Sequence, residues 1–199
     1  EGVTTTPSLE SATRTLFYLQ SDGYGIAIFD FGTPARIVEP GTLMRARGNS
    51  TTFNGLKEVV VEDVFNDILV MEEFVGIPEP RVVSFEEFVE AAFIETDTAN
   101  VQGSLIRLNG VSTEPSSWPG DPDASSTNVS VTDMEGNEYS VRLLAQTDAI
   151  GVIPPENFDL VGIAGSFNAT QIQPRFGNDF IVTGPPVPFP EPPYAVGDT

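Results

Sequence analysis

The chain has 199 residues and a formal charge of −20, with nine Lys+Arg against 29 Asp+Glu, no Cys and no His. So few cations leave little with which to neutralise phosphate or an anionic membrane surface. The missing thiols and imidazoles exclude disulfides, thiol nucleophiles, Ser-His-Asp triads and ordinary zinc sites.

Hydrophobic content of 40% and aromatic content of 10% mark a folded, globular chain. No stretch approaches the ~18–20 apolar residues of a membrane-spanning helix. The chain starts at Glu1 rather than Met, which reads as a leader removed or as a piece of a longer chain. A secreted, extracellular protein is the expectation.

Glu1 to Thr6 is β-prone and is stopped by Pro7. Leu16 to Gln20 reads as a strand, Asp22-Gly23-Tyr24-Gly25 as a turn, and Gly25 to Asp30 as the next strand. Pro40-Gly41-Thr42 opens a third strand, Leu43 to Arg47, ending at Gly48. It alternates, with Met44 and Ala46 on one face and Leu43, Arg45 and Arg47 on the other, the pattern of a half-buried strand. Phe53-Asn54-Gly55-Leu56 turns the chain into Lys57 to Glu62, and Phe65 to Met71 is another strand.

Ile77-Pro78-Glu79-Pro80 reads as a linker, giving a first module over 1–76, a linker over 77–84 and a second module over 85–184. Ser84 and Glu87 have capping-box spacing, and Phe85, Phe88, Val89 and Ala92 recur at helical spacing. One short helix, a plug at the entry to the second module, is predicted from Phe85 to about Ala92. Leu105 to Val111 is a strand, and Ser112 to Asn128, with Trp118 and three prolines, is a long loop. Strands follow at Asn128–Val131, Tyr139–Leu144 and Phe158–Ala164. Asn66-Asp67-Ile68-Leu69-Val70 recurs as Asn178-Asp179-Phe180-Ile181-Val182, so the second half echoes the first. Residues 185–199 hold six prolines and read as an extended, polyproline-type tail.

Several phrases carry a family resemblance. They are Glu1-Gly2-Val3-Thr4-Thr5, Tyr18 to Gly23, Gly25 to Phe29, Gly41 to Gly48 and Phe53-Asn54-Gly55-Leu56, with Leu105 to Val111 and Phe158 to Gly165 in the second half. The chain resembles the tandem OB-fold modules of large secreted bacterial proteins, often found beside extracellular nuclease or phosphatase domains. The resemblance implies an all-β fold: two tandem OB-like antiparallel barrels, each of five Greek-key strands, with one short helix and the extended tail. It also implies nucleic-acid binding. The residues speak against that, because Arg45, Arg47 and Lys57, even with Tyr18, Tyr24 and Phe53, make no basic stripe. No nucleic-acid partner is expected.

Asp121 and Asp123, with Asp133 and Glu135, offer oxygen ligands for Ca²⁺, the one cofactor the sequence suggests; the spacing is not that of an EF-hand, and a solvated acidic loop is the plainer reading. Glu72-Glu73 and Glu86, Glu87 and Glu90 invite comparison with paired catalytic acids but read as solvated faces, so no catalytic residue is assigned. Asn49, Asn128 and Asn168 head glycosylation sequons.

Two functions stand side by side. The first is a non-enzymatic structural subunit that polymerises with itself, head to tail. Val196-Gly197-Asp198-Thr199 resembles the lead-in to a first strand, while Glu1-Gly2-Val3 reads as the second half of one. The tail of one copy, with Pro192, Pro193, Tyr194, Ala195, Val196 and Gly197, would dock on the strand edge Gly2, Val3, Thr4, Thr5 and Thr6 of the next. The alternative is a secreted OB-fold accessory module that binds nucleic acid, glycan or substrate for a larger extracellular nuclease or hydrolase.

Overall fold

Two glycine turns set up the first sheet. The computed structural model describes residues 1–9, 13–32, 36–91 and 101–182. Strands β1 (Gly2–Thr4), β2 (Thr15–Ser21), β3 (Tyr24–Asp30), β4 (Leu43–Ala46), β5 (Asn49–Phe53), β6 (Leu56–Val60) and β7 (Ile68–Glu72) form it. β2 and β3 meet across Asp22-Gly23, with φ of 51° and 82°, and β5 and β6 across Asn54-Gly55, with φ of 48° and 85°. Two successive positive φ values give the turn a twist that matches the right-handed twist of its strands, and Asp-Gly and Asn-Gly adopt them at little cost.

The sheet order is β5-β6-β3-β2-β1-β4-β7. Only Arg47 and Gly48 separate β4 from β5, so these are two halves of one bent strand. The first sheet therefore curls back on itself through the chain.

β8 (Arg81–Val82), α1 (Phe85–Glu90), β9 (Leu105–Ser112), β10 (Thr127–Thr132), β11 (Glu138–Leu143), β12 (Asn157–Ser166), β13 (Thr170–Gln173) and β14 (Phe180–Ile181) complete the described elements. Pairing runs β9-β10-β11-β13-β12 and back to β9, a closed five-stranded barrel. β14 adds to β12 as β7 adds to β4, so the repeated Asn-Asp phrase leads into the corresponding extra strand each time.

The expected architecture needs four corrections. The sheets are not purely antiparallel: β3–β6, β11–β13 and β8–β9 are parallel pairs. β5 and β13 were not foreseen, because Asn49–Phe53 is wholly exposed and lacks alternation, while Thr170–Gln173 is short. The linker contains β8, which adds to the second sheet. The long loop expected from Ser112 to Asn128 supplies a core residue, because Trp118 is buried. Its indole stands edge-on to Phe180 at 5.3 Å and to Phe158 at 6.3 Å, and its Nε1 donates to Thr113 Oγ1 at 2.9 Å. Burying an indole requires such a hydrogen-bond partner.

The helix forms where its cap predicts it. Ser84 Oγ accepts from Glu87 N, and Glu87 Oε2 accepts from Ser84 N, a reciprocal capping box. Phe88 is buried, and Phe85 and Phe88 stand edge-on to Tyr139 at 5.3 and 5.1 Å. Ala92, the expected end of the helix, lies outside the described residues.

Each sheet wraps its own core: Phe17, Leu19, Ile28, Met44, Val61 and Ile68 in the first, and Ile106, Leu108, Val141, Leu143, Phe158 and Leu160 among others in the second. A third cluster belongs to neither alone. Leu9, Tyr18, Ala27 and Leu56 of the first half pack on Leu105, Val161 and Ile163 of the second.

Polar contacts fix this junction. Gln20 Oε1 accepts from Leu105 N at 2.7 Å, and Ser104 Oγ donates to Gly23 O at 3.0 Å. Gln102 Oε1 accepts from Lys57 N, while its Nε2 donates to Gly55 O and Ala91 O, all at 2.7–2.8 Å. Arg175 forms a bidentate, buried pair with Asp179 and donates to Thr5 O at 2.8 Å. At the centre two backbones touch: a Cβ on Gly25 would lie 1.9 Å from Gly103 O, and one on Gly103 2.7 Å from Gly25 C.

Gly25→Ala is therefore expected to force the halves apart at their closest point and to lower stability by about 2–4 kcal/mol. Asp179→Ala, which leaves Arg175 buried without its counter-ion, is expected to cost about 3–5 kcal/mol. Urea unfolding of each variant beside the parent chain measures both; a change under about 0.5 kcal/mol in either contradicts the role assigned to that contact.

Candidate functional site

The residues expected to receive a docked strand do not offer a free edge. β1 pairs with β2 through Val3↔Gln20 and Thr4↔Leu19, and with β4 through Gly2↔Met44 and Val3↔Leu43. Thr4, Thr5 and Thr6 are fully buried. Thr5 N donates to Tyr18 O at 3.0 Å, and Thr6 Oγ1 accepts from Tyr18 N at 3.1 Å. Gly2 to Thr4 is thus interior to its sheet, held by β2 on one side and by β4 and its lead-in on the other, while Thr5 and Thr6 are taken up by Tyr18 and Arg175. The proposed tail anchors Pro192, Pro193, Tyr194, Ala195, Val196 and Gly197 lie outside the described residues.

An open seat exists beside the same strand. In the closed barrel, β9 lines β12 from Asn157↔Ser112 to Ile163↔Leu105. In the first sheet β1 covers only Leu43 and Met44 of β4. On that side Arg45, Ala46, Arg47 and Gly48 have no strand beside them among the described residues. Burial follows the pairing: β12 is buried from Phe158 to Ser166, whereas Arg45, Arg47, Gly48 and all of β5 are exposed. The other side of β4 is taken by β7, and Arg47 N donates to Asp67 O at 2.9 Å.

The remaining sequence candidates are dispersed. Arg45 pairs with Glu1 at 2.8 Å and Arg47 with Asp67 at 2.6 Å, so two of the three cations of the imagined groove are held by carboxylates. Tyr18 is buried, whereas Tyr24 and Phe53 are exposed. Asp121 Oδ1 accepts from Asp123 N and shapes its own loop. Asp133 closes a different turn, accepting from the Asn137 and Glu135 backbones, the Asn137 amide and the Tyr139 hydroxyl; the Asn137 amide foremost holds its carboxyl below the usual range. The structure does not gather Asp121, Asp123, Asp133 and Glu135 into one group of possible ligands; no such group of three or more is present among the described residues. Glu87 serves the helix cap and pairs with Arg81. Asn49, Asn128 and Asn168 are all exposed.

A second feature went unread in the sequence. Where the two halves face each other they leave a cleft of about 620 Å³. The first half contributes Arg14, Tyr18, Phe29, Phe31, Phe53 and Glu58, and the second Asn128, Arg142, Phe167, Gln171 and Gln173. Arg14 lies over the Phe31 ring at 5.9 Å, and Arg142 donates to Asn128 Oδ1 at 3.1 Å. Glu58 is only 7% exposed, and its carboxylate has no hydrogen-bond or ion-pair partner among the described residues. Burial pushes that carboxyl above its ordinary range. Gln171, 8% exposed, is equally without a side-chain partner. The one sequence signal for this cleft is the recurrence of Phe53-Asn54 as Phe167-Asn168, which sets one aromatic from each half on it.

No protein-family model, curated protein or solved structure matches this chain.

The Glu58 carboxyl gives a pH signature. Its folded-state affinity for a proton exceeds that of the unfolded chain. Its favourable contribution is therefore complete below the unfolded carboxylate range, ~4.3, and is lost as pH rises through the folded value. Glu58→Gln should match the parent chain in Tm near pH 4 and exceed it at pH 7, as measured by thermal unfolding at both. An equal difference at the two pH values rules this origin out.

Proposed function

We propose that the chain is a non-enzymatic extracellular structural subunit that self-assembles head to tail, the tail of one copy adding as a strand to the open seat beside β4 of the next. The observation that carries this reading is the unequal pairing of β4 and β12. Position for position the two strands open the second half of each ring. One is covered by β9 from Asn157 to Ile163, the other by β1 only at Leu43 and Met44.

The fold supports the same history for both halves. The first ring runs β1-β2-β3-β6-β5 and returns through the bent strand to β4 and β1; the second runs β9-β10-β11-β13-β12-β9. In each, the third and fifth strands are the parallel pair. Two OB-type barrels, each five strands in Greek-key order, account for this pattern. Gly48 and Gly162 lie against the facing strand in the same way, a Cβ meeting Val60 O at 2.2 Å and Gln173 O at 2.7 Å.

The tail suits the seat by composition. Pro78-Glu79-Pro80 leads into β8, which pairs in parallel with β9 of the same chain, and Pro190-Glu191-Pro192 leads by a similar phrase into Pro193-Tyr194-Ala195-Val196. Prolines keep such a segment extended and so lower the entropy lost on docking. Laid antiparallel to β4, as β9 is to β12, the tail brings Asp198 among Arg45 and Arg47. Main-chain hydrogen bonds to the open edge supply affinity, and the charge contact supplies direction.

Deletion of residues 185–199 is expected to leave a folded monomer that does not polymerise. Arg45→Glu with Arg47→Glu should raise the concentration needed for assembly severalfold, since exposed pairs contribute about 0.2–1 kcal/mol each. Adding Asp198→Lys should restore much of the loss. Sedimentation velocity and negative-stain microscopy give the readout. A full chain that stays monomeric at high concentration, or a truncated chain that assembles as well, refutes the reading. So does occupation of the seat by residues that precede Glu1 in the same chain.

A further inference from the structure

We infer that the cleft between the two halves is a binding site for a neutral sugar ring. This rests on no part of the assembly reading, since the open seat is formed by Arg45 to Gly48 and the cleft by other residues.

The first observation is the cleft itself. A volume of about 620 Å³ is that of a small-ligand site, and such sites combine mostly apolar walls with a few convergent polar groups. Its mouth holds three phenylalanines, Phe31, Phe53 and Phe167, exposed by 71%, 61% and 57%. Aromatic faces set open to solvent are expensive unless something covers them.

The second observation is polar and independent. Glu58 and Gln171 are each more than nine-tenths buried, line the cleft and have no side-chain partner among the described residues. Neither has a side-chain polar atom that is both sealed from solvent and unpartnered, so their polar atoms open onto the cleft. Two such groups on one cleft, one from β6 and one from β13, point to a ligand that takes up hydrogen bonds otherwise left to water.

The third is the cations. Five arginines pair with carboxylates, and Arg36 donates to the carbonyls of Val64 and Ile68. Of the other three cationic residues, Arg14 and Arg142 line the cleft.

The ligand class follows from the mixture. Glu58 as a carboxylate only accepts, Arg14 and Arg142 only donate, and Gln171 does both. An ammonium ligand would satisfy Glu58 but meet two guanidinium groups. A carboxylate or phosphate would suit the arginines but meet Glu58 and the field of a −20 chain. A hydroxyl donates and accepts at once, so a ring bearing several hydroxyls answers every group without net charge. The C–H face of such a ring is apolar and lies flat on a phenylalanine.

The test is titration calorimetry with ligand-detected NMR on the full chain, using cellotetraose, maltotetraose and laminaritetraose up to about 10 mM. At least one is expected to bind with Kd on the order of 1 mM or tighter, without dependence on salt. Phe31→Ala and Phe167→Ala, both at exposed positions that leave the core intact, should each weaken binding about tenfold. Glu58→Gln should weaken it severalfold. The inference is overturned if none of the three sugars binds, or if both phenylalanine variants bind like the parent chain. Tighter binding of benzylammonium or benzoate than of every sugar overturns it too, as the cleft then takes an ion.

Discussion

The contact of Gly25 with Gly103 is the constraint on which the rest depends. Two backbones at that separation leave no room for a side chain on either, and Gly103 also sits at a φ of +77°. Their approach lets Gln20 reach Leu105 N, Ser104 reach Gly23 O and Gln102 clamp Lys57 and Gly55. These are main-chain partners, so the hydrogen bonds hold whatever side chains surround them. The apolar cluster around Tyr18 and Ile163 then closes the joint. The cleft is the space left on the same facing surfaces where side chains do not meet.

The two sheets share a strand order but differ at one strand. β12 is ten residues long and buried from Phe158 to Ser166; its counterpart is split at Arg47–Gly48 into four residues and five, with the second half wholly exposed. The split follows from cover. A strand paired and packed along its length can be apolar throughout, as Leu160, Val161 and Ile163 are. A strand with one side open carries Arg45, Arg47, Asn49, Ser50, Thr51 and Thr52, which water can satisfy. The sequence of the first half thus matches an edge that is open among the described residues.

Legibility followed local signals. Asp22-Gly23 and Asn54-Gly55 each name their turn, because both need positive φ at two positions. Ser84 and Glu87 name the start of the helix, and Met44 and Ala46 point inward as their alternation requires. What depended on distant partners was hidden. β5 has no apolar residue except Phe53, so its pairing with β6 comes from the turn and not from a hydrophobic pattern. Trp118 sits among loop-forming prolines, and only the approach of Phe158 and Phe180 makes it core. The burial of Gly2–Thr6 could not be read because β4, some forty residues on, supplies the second neighbour. Glu58 and Gln171 share a cleft only because the two sheets pack against each other.

Charge joins these parts. A chain of −20 resists contact with its own copies, and at physiological ionic strength that repulsion fades beyond about 8 Å. Under the assembly proposed above, contact between copies would be favoured where cations stand, and Arg45 and Arg47 stand on the open edge of β4. Their present partners, Glu1 and Asp67, bind in exposed or half-exposed pairs, with the Arg47 side chain 84% exposed. Such pairs hold the arginines in place while leaving donors free toward an incoming acid. Arg107–Asp159 and Arg175–Asp179 are different in kind: each carboxylate is nearly buried and also accepts from a backbone N–H, Gly110 N for one and Arg175 N for the other. These cations are committed to the fold. The contrast is sharpest between Arg175, whose side chain is 7% exposed, paired bidentately with Asp179 and donating to Thr5 O across the junction, and Arg45 and Arg47, whose side chains are 55% and 84% exposed beside the open edge of β4.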